Sequence, residues 1–203
     1  MYPITDVGIA GVSHADQVSL LADGGATFVQ LREKNLSPLE FYREAEAALA
    51  VARQRGVTLI INDRVDIALA LGANGVHLGQ DDLPPEAARK LLGADAIIGY
   101  STHNVSQAIA AAALPVDYIA IGPIFQTSTK ANPDPVIGLD GLRAVRRAIG
   151  DTLLVGIGGI TKENARSVID AGADSVAVIS ALLSGGPDAI SDRYRTFIRN
   201  SSD

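Results

Sequence analysis

Polar side chains alternate with apolar ones along one short segment, Phe28-Val29-Gln30-Leu31-Arg32-Glu33-Lys34. Alternate side chains of a β-strand share a face, so Gln30, Arg32 and Lys34 are expected on one side of a sheet. Three donor-rich side chains on one face, two of them cationic, favour an anion such as a phosphate or diphosphate as the ligand. The alternative for this local pattern is an edge strand whose polar face meets solvent.

The composition limits the classes of protein to which the chain can belong. Its 203 residues are 47% hydrophobic, which is enough to build the core of one domain. The sequence has no apolar run near the roughly 20 residues that span a bilayer and no signal segment after Met1, so we expect a cytoplasmic protein with no membrane partner. A net charge of −6 and 4% aromatic residues argue against nucleic acid as a partner. Because cysteine is absent, disulfides, thiolate catalysis and sulfur-ligated metals are excluded.

Short apolar strands alternate eight times with helical segments. The expected strands are residues 2–6, 28–34, 58–63, 75–80, 96–101, 118–124, 153–157 and 175–179. The expected helices are residues 14–23, 38–56, 65–71, 139–149, 161–170, 181–183 and 187–199. Two more are expected, one that begins near Pro84 and another, after the fifth strand, that ends at Leu114. Eight such units predict a single-domain (β/α)8 TIM barrel over residues 1–203. A doubly wound sheet is the alternative, but the chain lacks the glycine-rich turn G-x-G-x-x-G after its first strand.

The carboxyl ends of the strands meet at one rim of such a barrel, where the active sites of this fold lie. Polar residues and glycines occur at most of these ends, namely Gln30, Arg32, Lys34, Asn62, Asp63, Gln80, Asp81, Asp82, Ser101, Thr102, His103, Thr127, Ser128, Thr129, Lys130, Gly158, Gly159 and Ser180. The loops after the seventh and eighth strands often bind phosphate in this fold. Gly158 and Gly159 fit such a loop, although a glycine pair is also ordinary in a turn.

Two aspartates end successive strands, so the carboxylates of Asp63 and Asp82 are expected to reach one cation. Oxygen ligands without clustered histidine or cysteine favour Mg²⁺, which completes its shell with water and substrate phosphate oxygens. The alternative is that each aspartate caps the helix that follows it. Residues 125–138 form the longest connection, which is either a lid over the rim or an ordinary surface loop.

The three histidines are too scattered in sequence to predict a zinc site. His14 lies near a helix start and is expected to be exposed. His77 lies within a strand and is expected to be a hydrogen-bonded structural residue at least as readily as a catalytic one. His103 lies at the rim, where it could contact a substrate.

The motifs Gln30-Leu31-Arg32-Glu33-Lys34, Asn62-Asp63, His77-Leu78-Gly79-Gln80-Asp81-Asp82, Gly122-Pro123-Ile124-Phe125, Thr127-Ser128-Thr129-Lys130 and Gly156-Ile157-Gly158-Gly159-Ile160 together resemble the thiamine-phosphate synthase family. The resemblance covers essentially the whole chain, with the motifs in the family's order. It implies an enzyme that joins hydroxymethylpyrimidine diphosphate to a hydroxyethylthiazole phosphate, gives thiamine phosphate and releases pyrophosphate. Substrates of this kind are the implied small-molecule partners, and a homo-oligomer remains open.

The resemblance also implies roles for individual residues. Those implied to hold the pyrimidine diphosphate are Gln30, Leu31, Arg32, Glu33, Lys34, Asn62, Ser101 and Lys130. Four of these, Arg32, Lys34, Ser101 and Lys130, are the implied catalytic residues, because they would contact the diphosphate that leaves. Asp63 and Asp82 would bind Mg²⁺. The residues implied to bind the thiazole phosphate are Thr127, Ser128, Thr129, Gly159, Ile179 and Ser180.

Three other functions compete with this interpretation. A thiazole tautomerase would share the fold but lack the metal and diphosphate ligands, whereas Arg32, Asp63 and Lys130 are present here. A phosphosugar isomerase or aldolase would need an acid–base carboxylate or a Schiff-base lysine inside the barrel. A binding protein without catalytic activity would bind the phosphate ligands without turnover.

Overall fold

The computed structural model describes residues 1–127 and 134–202. Their strands are β1 (Tyr2–Thr5), β2 (Phe28–Leu31), β3 (Thr58–Asn62), β4 (Gly75–Leu78), β5 (Ile97–Thr102), β6 (Tyr118–Ile121), β7 (Leu154–Ile157) and β8 (Ser175–Val178). Their helices are α1 (Val7–Ala10), α2 (His14–Asp23), α3 (Pro38–Arg55), α4 (Val65–Leu71), α5 (Pro85–Leu92), α6 (Val105–Ala112), α7 (Gly138–Ile149), α8 (Ala165–Asp170), α9 (Ser180–Leu183) and α10 (Ile190–Ser202). A 3-10 turn, Pro187–Ala189, precedes α10.

The eight strands form one closed parallel barrel in the order of the sequence. Each strand pairs with the next, and β8 pairs with β1, where Tyr2 lies opposite Ala177. The predicted (β/α)8 barrel is therefore confirmed. The edge-strand alternative for β2 is wrong, because β2 pairs with β1 on one side and with β3 on the other.

Helix α3 shows how local sequence sets the helix ends. The Ser37 side chain accepts the Glu40 backbone N–H, and the Glu40 carboxylate accepts the Ser37 backbone N–H, which completes a capping box. Pro38 occupies the first turn, where a missing N–H has no consequence. Gly56 ends the helix with a φ of 66°, a left-handed conformation that glycine adopts without a Cβ penalty. No helix formed by residues 1–127 and 134–202 is long and apolar enough to cross a membrane.

The two faces of the strands build two separate cores. Outward-facing residues such as Val29 and Leu31 pack against the helices and are fully buried. The lower barrel interior holds a smaller cluster in which the rings of Tyr2, Phe28 and Tyr118 meet edge to face, with centroids 4.9–6.4 Å apart. Glycine is required at position 99, because a Cβ there would lie 2.0 Å from the Tyr118 ring. The face alternation predicted for β2 is thus observed.

The structure differs from the sequence prediction mainly at element ends. Strand β2 ends at Leu31 rather than at residue 34, and β6 ends at Ile121 rather than at residue 124. The backbone N–H of Lys34 turns to the Glu33 carboxylate instead of to a neighbouring strand. Helix α8 begins at Ala165, four residues later than expected, because Thr161 and Asn164 form a turn. The four-residue helix α1 was not predicted.

An arginine clamp, centred on Arg89, joins α5 to the bottom of the barrel. The Arg89 guanidinium donates to Asp117 and to backbone carbonyl oxygens, which belong to Gly93, Ala94, Ala96 and Pro115. Asp117 also accepts the backbone N–H of Ile98 at 2.7 Å. One arginine thus ties the end of a helix to the starts of two strands, at the face where this fold gains stability rather than activity.

The same clamp recurs two strand–helix units later, around Arg146. This side chain donates to Asp174 and to the carbonyl oxygens of Gly150, Thr152 and Gly172. Asp174 accepts the Leu154 backbone N–H at 2.7 Å, as Asp117 accepts that of Ile98. In both clamps the bonded aspartate lies 28 residues after the arginine.

We expect Arg89→Met and Arg146→Met each to lower the free energy of unfolding by about 2–4 kcal/mol, because several carbonyl groups lose their donor. Urea unfolding of each variant measures this change. Arg147→Met is the matched control, since Arg147 lies on the same helix as Arg146 but is exposed. A loss for the two clamp variants no larger than that of Arg147→Met would contradict the role of the clamps.

Candidate active site

The upper end of the barrel encloses a cavity of about 610 Å³. The predicted rim residues that line it are Gln30, Arg32, Lys34, Asn62, Asp63, Gln80, Asp81, Asp82, Ser101, His103, Thr127, Gly158, Gly159, Ile179 and Ser180. The structure thus brings together side chains from strands that are far apart in sequence. Thr102 lies outside this group, because its hydroxyl donates to the Ala120 carbonyl and the residue is 1% exposed.

Each of the two cations that follow β2 pairs with a carboxylate. The Arg32 guanidinium lies 3.2 Å from the Asp6 carboxylate, and Lys34 forms an ion pair with Asp63. Asp6 in turn caps α1 by accepting the Ile9 backbone N–H. The Lys34 side chain is 48% exposed, so its ammonium group can turn toward an anion at little cost.

Asp63 and Asp82 lie side by side, and neither caps a helix. Helix α4 has Arg64 at its N-cap position and α5 has Pro84, both without a side-chain cap bond, so the capping alternative is wrong. Burial raises the pKa of Asp82, and the neighbouring Asp63 carboxylate raises it further. Asp63 also has a φ of 62°, the one left-handed non-glycine conformation among the described residues. A carboxyl group whose ionisation is opposed by burial and by a neighbouring carboxylate suits a site that a cation shares.

The donor set fits a magnesium ion that keeps open positions. Among residues 1–127 and 134–202, no cluster of three or more His, Asp or Glu side chains could form a closed metal cage. Magnesium commonly binds through one or two protein carboxylates and takes its other ligands from water and substrate phosphates. Asp63 and Asp82 supply this kind of partial shell.

A buried donor without a partner points into the same cavity. Asn62 is 6% exposed, and its Nδ2 atom makes no hydrogen bond in the structure. Burying an amide donor without an acceptor costs about 1–3 kcal/mol, and native proteins usually avoid it. An acceptor atom of a bound ligand would satisfy this group.

A chain of side-chain hydrogen bonds crosses the floor of the cavity. It runs from Gln30 through Tyr2, Tyr118 and His77 to Ser101, with consecutive polar atoms 2.7–2.9 Å apart. Burial lowers the pKa of His77 to about 4, so the imidazole is neutral at pH 7. His77 is thus hydrogen-bonded as expected, and it also lines the cavity, so the choice between a structural and a catalytic role stays a prediction.

The direction of donation along this chain follows from its first member. Gln30 Nε2 donates to the Tyr2 hydroxyl, whose own proton has the Tyr118 oxygen as its acceptor among the described residues. The Tyr118 proton then goes to His77 Nδ1, and His77 Nε2–H donates to the Ser101 oxygen. The Ser101 proton is left to donate to a ligand in the cavity.

The loops after β7 and β8 bring backbone close to the opposite side of the cavity. Gly158 and Gly159 have φ values of 100° and 64°, and a Cβ at position 159 would lie 2.4 Å from the Gln126 carbonyl oxygen. Asn164 holds this turn by donating to the Gly159 carbonyl and accepting the Thr161 N–H. Only glycine lets the chain approach so closely here.

Several predicted residues do not line the cavity with their side chains. Leu31 is fully buried in the outer core, and the Glu33 carboxylate turns back toward His14. The expectation that His14 is exposed is wrong: its ring is 0% exposed because it packs behind β1 and β2 and bonds with Thr5. Ser128, Thr129 and Lys130 lie outside the described residues. The lid interpretation of residues 125–138 therefore remains a prediction.

The residues that were not identified from the sequence include Tyr2, which lines the cavity, and Asp6 and Tyr118, which bond to residues that line it. Asp6 ends the first strand, so the strand-end rule could have found it. Tyr2 and Tyr118 stand at the starts of their strands, and only the depth of the closed barrel brings their hydroxyl groups up to the cavity floor.

We expect Tyr118→Phe to destabilise the protein by about 2–4 kcal/mol, because Tyr2 loses its acceptor and His77 loses its donor inside the barrel. Thermal and urea unfolding measure this loss. Tyr42→Phe serves as control, since its hydroxyl lies at the surface, 3.4 Å from Glu46, and should change stability by less than about 0.5 kcal/mol. Equal stability of the two variants would rule out an energetically important chain.

Sequence relatives of this chain share one name. A thiamine-phosphate synthase of Koribacter versatilis is 56% identical over 163 residues, which cover 80% of this chain and 76% of the relative. A thiamine-phosphate synthase of Chloroflexus aurantiacus is 47% identical over 184 residues, with coverages of 90% and 84%.

Solved structures agree with the fold at two levels of similarity. A thiamine phosphate pyrophosphorylase from Pyrococcus furiosus superposes with a TM-score of 0.87 at 33% identity, covering 99% of this chain and 94% of the other. Phosphoribosyl anthranilate isomerase from Thermotoga maritima gives a TM-score of 0.70 at 18% identity, over 100% and 99% of the two chains, and so shares the fold alone.

The family model described as thiamine monophosphate synthase matches residues 1–182. The chain therefore belongs to the thiamine monophosphate synthase family.

Proposed function

We propose that this protein is a thiamine-phosphate synthase, which couples hydroxymethylpyrimidine diphosphate with hydroxyethylthiazole phosphate and releases pyrophosphate. The observation that carries the proposal is the cavity rim, which Arg32 and Lys34 share with the neighbouring carboxylates of Asp63 and Asp82. The relatives named thiamine-phosphate synthase support the same reaction. A cytoplasmic location and the oligomeric state remain predictions.

The diphosphate would bind on the side of the cavity formed by β2, β3 and β5. Arg32 offers a planar fork of donors, Lys34 a mobile ammonium group, and Asn62 its unpartnered amide N–H. The hydrogen-bond chain leaves the Ser101 hydroxyl proton available to the same anion. Lys130 would add a third cation, and this assignment depends on the family resemblance. Gln30 lines the cavity beneath these groups, where the pyrimidine ring would lie.

Asp63 and Asp82 would hold the magnesium ion. When bound, the ion would neutralise part of the charge on the diphosphate and so make it a better leaving group. In the structure Lys34 already pairs with Asp63, so the lysine is within reach of any anion placed beside these carboxylates. We propose that Lys34 exchanges the carboxylate for a diphosphate oxygen when the substrate binds.

The thiazole phosphate would bind on the opposite side, against the loops after β7 and β8. Gly159 brings backbone to the cavity wall, and Ile179 and Ser180 lie beside it. Thr127 lines the cavity as well, and Ser128 and Thr129 would join it by the family resemblance. Two anion sites on facing walls suit two phosphorylated substrates that must meet between them.

The proposed reaction needs electrostatic stabilisation rather than a protein nucleophile. Electron release from the aminopyrimidine would stabilise positive charge at its methylene carbon while the carbon–oxygen bond to the diphosphate breaks. The thiazole nitrogen would then supply the electron pair that forms the new carbon–nitrogen bond. The protein would orient both substrates, exclude water and stabilise the departing anion. Among the described residues, the lysine that lines the cavity is Lys34, which lies beyond the end of β2 and pairs with Asp63 rather than standing inside the barrel, and this argues against an aldolase.

The proposed function is tested by incubating the purified protein with both substrates, with and without Mg²⁺, and oxidising the product to fluorescent thiochrome. Metal-dependent formation of thiamine phosphate is the expected result. A well-folded protein that forms no product would contradict the synthase proposal and favour the thiazole tautomerase alternative.

Asp63→Ala should lower kcat/KM about 100-fold or more and weaken the dependence on Mg²⁺, because one of two carboxylate ligands is lost. Titration of activity against Mg²⁺ measures both effects. Asp95→Ala, which removes an exposed carboxylate from the bottom of the barrel, is the control. Wild-type metal dependence in Asp63→Ala would remove Asp63 from the metal site.

Lys130→Ala should slow the release of pyrophosphate about 100-fold in a single turnover, because a cation that stabilises the leaving group is missing. Rapid-quench measurement of pyrophosphate under enzyme excess detects this step. Lys162→Ala, an exposed lysine after β7, should behave like the wild type. An unchanged single-turnover rate in Lys130→Ala would exclude this catalytic role.

A further inference from the structure

The turn after β2 is held from behind by a buried histidine that the proposed reaction does not use. His14 opens helix α2 and is 0% exposed. Its Nδ1 lies 2.7 Å from the Thr5 hydroxyl oxygen, and its Nε2 lies 3.4 Å from Glu33 Oε2. The ring therefore connects the end of β1 to the residue between the two cations.

The protonation of this pair follows from burial and geometry. Burial lowers the pKa of His14, so the ring is neutral and carries one N–H. An ionised carboxylate only accepts hydrogen bonds, so Nε2 carries the hydrogen toward Glu33 and Nδ1 accepts the Thr5 hydroxyl proton. Partial burial opposes ionisation of Glu33, but the N–H groups of Asn35 and Lys34 and the His14 ring outweigh it and lower its pKa.

Glu33 uses its other oxygen to organise the backbone that carries the cations. Glu33 Oε1 accepts the backbone N–H groups of Lys34 and Asn35, each at 2.7 Å. These amides lie just beyond the end of β2, so the carboxylate supplies an acceptor where the sheet has ended. The direction in which the Lys34 side chain leaves the turn depends on these two bonds.

We infer that Glu33 and His14 are positioning residues that hold Arg32 and Lys34 toward the bound diphosphate, and that Glu33 does not itself contact the substrate. A carboxylate facing a diphosphate would repel it, whereas the Glu33 side chain is 10% exposed and turned toward His14. The inference rests on the proposed function only for the identity of the anion. It gives the Glu33 carboxylate a role different from substrate binding.

The first test compares Glu33→Ala with Glu33→Gln. Alanine removes the acceptor of both amides, so Lys34 and Asn35 should exchange amide hydrogen faster, and the Kd for inorganic pyrophosphate with Mg²⁺ should rise about tenfold or more. Glutamine keeps an oxygen for both N–H groups and should stay within about threefold of the wild type. Glu46→Ala on helix α3 is the control, because Glu46 is exposed. Unchanged exchange and unchanged Kd in Glu33→Ala would overturn the inference.

The second test separates the two nitrogens of His14. A glutamine amide can reach the position of Nε2, so His14→Gln should keep the donor to Glu33 and bind pyrophosphate almost as the wild type does. An asparagine amide matches Nδ1, so His14→Asn should keep the Thr5 contact and weaken binding as Glu33→Ala does. Equal binding by both variants would overturn the role assigned to Nε2. Amide exchange at Lys34 reports on the turn even where overall stability changes.

A double-mutant cycle then distinguishes positioning from a general structural effect. If Glu33 acts through Lys34, Glu33→Ala should add less than about threefold to the loss already caused by Lys34→Ala. Independent, additive losses would contradict the inference. If the wild-type protein forms no thiamine phosphate, the proposed function fails, while amide exchange at Lys34 and Asn35 still decides the role of Glu33.

Discussion

Closure of the barrel imposes one constraint on which the other features depend: inward-facing side chains from eight strands must share one narrow interior. The lower part is filled by the rings of Tyr2, Phe28 and Tyr118, and Gly99 leaves room for one of them. Because these rings fill the bottom, the polar side chains above them enclose a cavity rather than a pore. The tyrosine hydroxyl groups then form its floor and join the apolar plug to the polar site.

The polar site is organised by hydrogen bonds that run beneath it and behind it. Gln30 sets the direction of donation through the floor, and that direction decides what Ser101 can offer to an anion. Behind the wall, His14 and Glu33 replace strand pairing where β2 ends. Both arrangements use neutral or paired side chains, so little uncompensated charge is buried before substrates bind. The remaining imbalance, at Asp82 and Asn62, lies where the ligands would enter.

The fold was predictable from sequence because eight strand–helix units leave few alternatives, and the alternation in β2 correctly identified which side chains face inward. The rule that active-site residues follow the carboxyl ends of the strands also identified most of the residues that line the cavity, including Asp63, Asp82 and Ser101. The failures have a common physical cause. His14, Tyr2 and Tyr118 owe their surroundings to residues distant in sequence, and no local pattern reports how deep a side chain lies in the closed barrel. The end of β2 was misplaced because the Glu33 carboxylate accepts the amides that follow, and the end of β6 because Pro123, two residues beyond Ile121, has no N–H to donate.

The two arginine clamps divide the second half of the chain into repeated modules. Each clamp binds a carbonyl 26 residues beyond its arginine and an aspartate two positions later, and each encloses one strand and the start of the next. The matching intervals show that α5 and α7 are fastened to the strands that follow them in the same way. The segment that carries Thr127 and Lys130 falls between the two modules and within neither. Its sequence can therefore diversify to suit a new ligand while the framework on both sides stays intact.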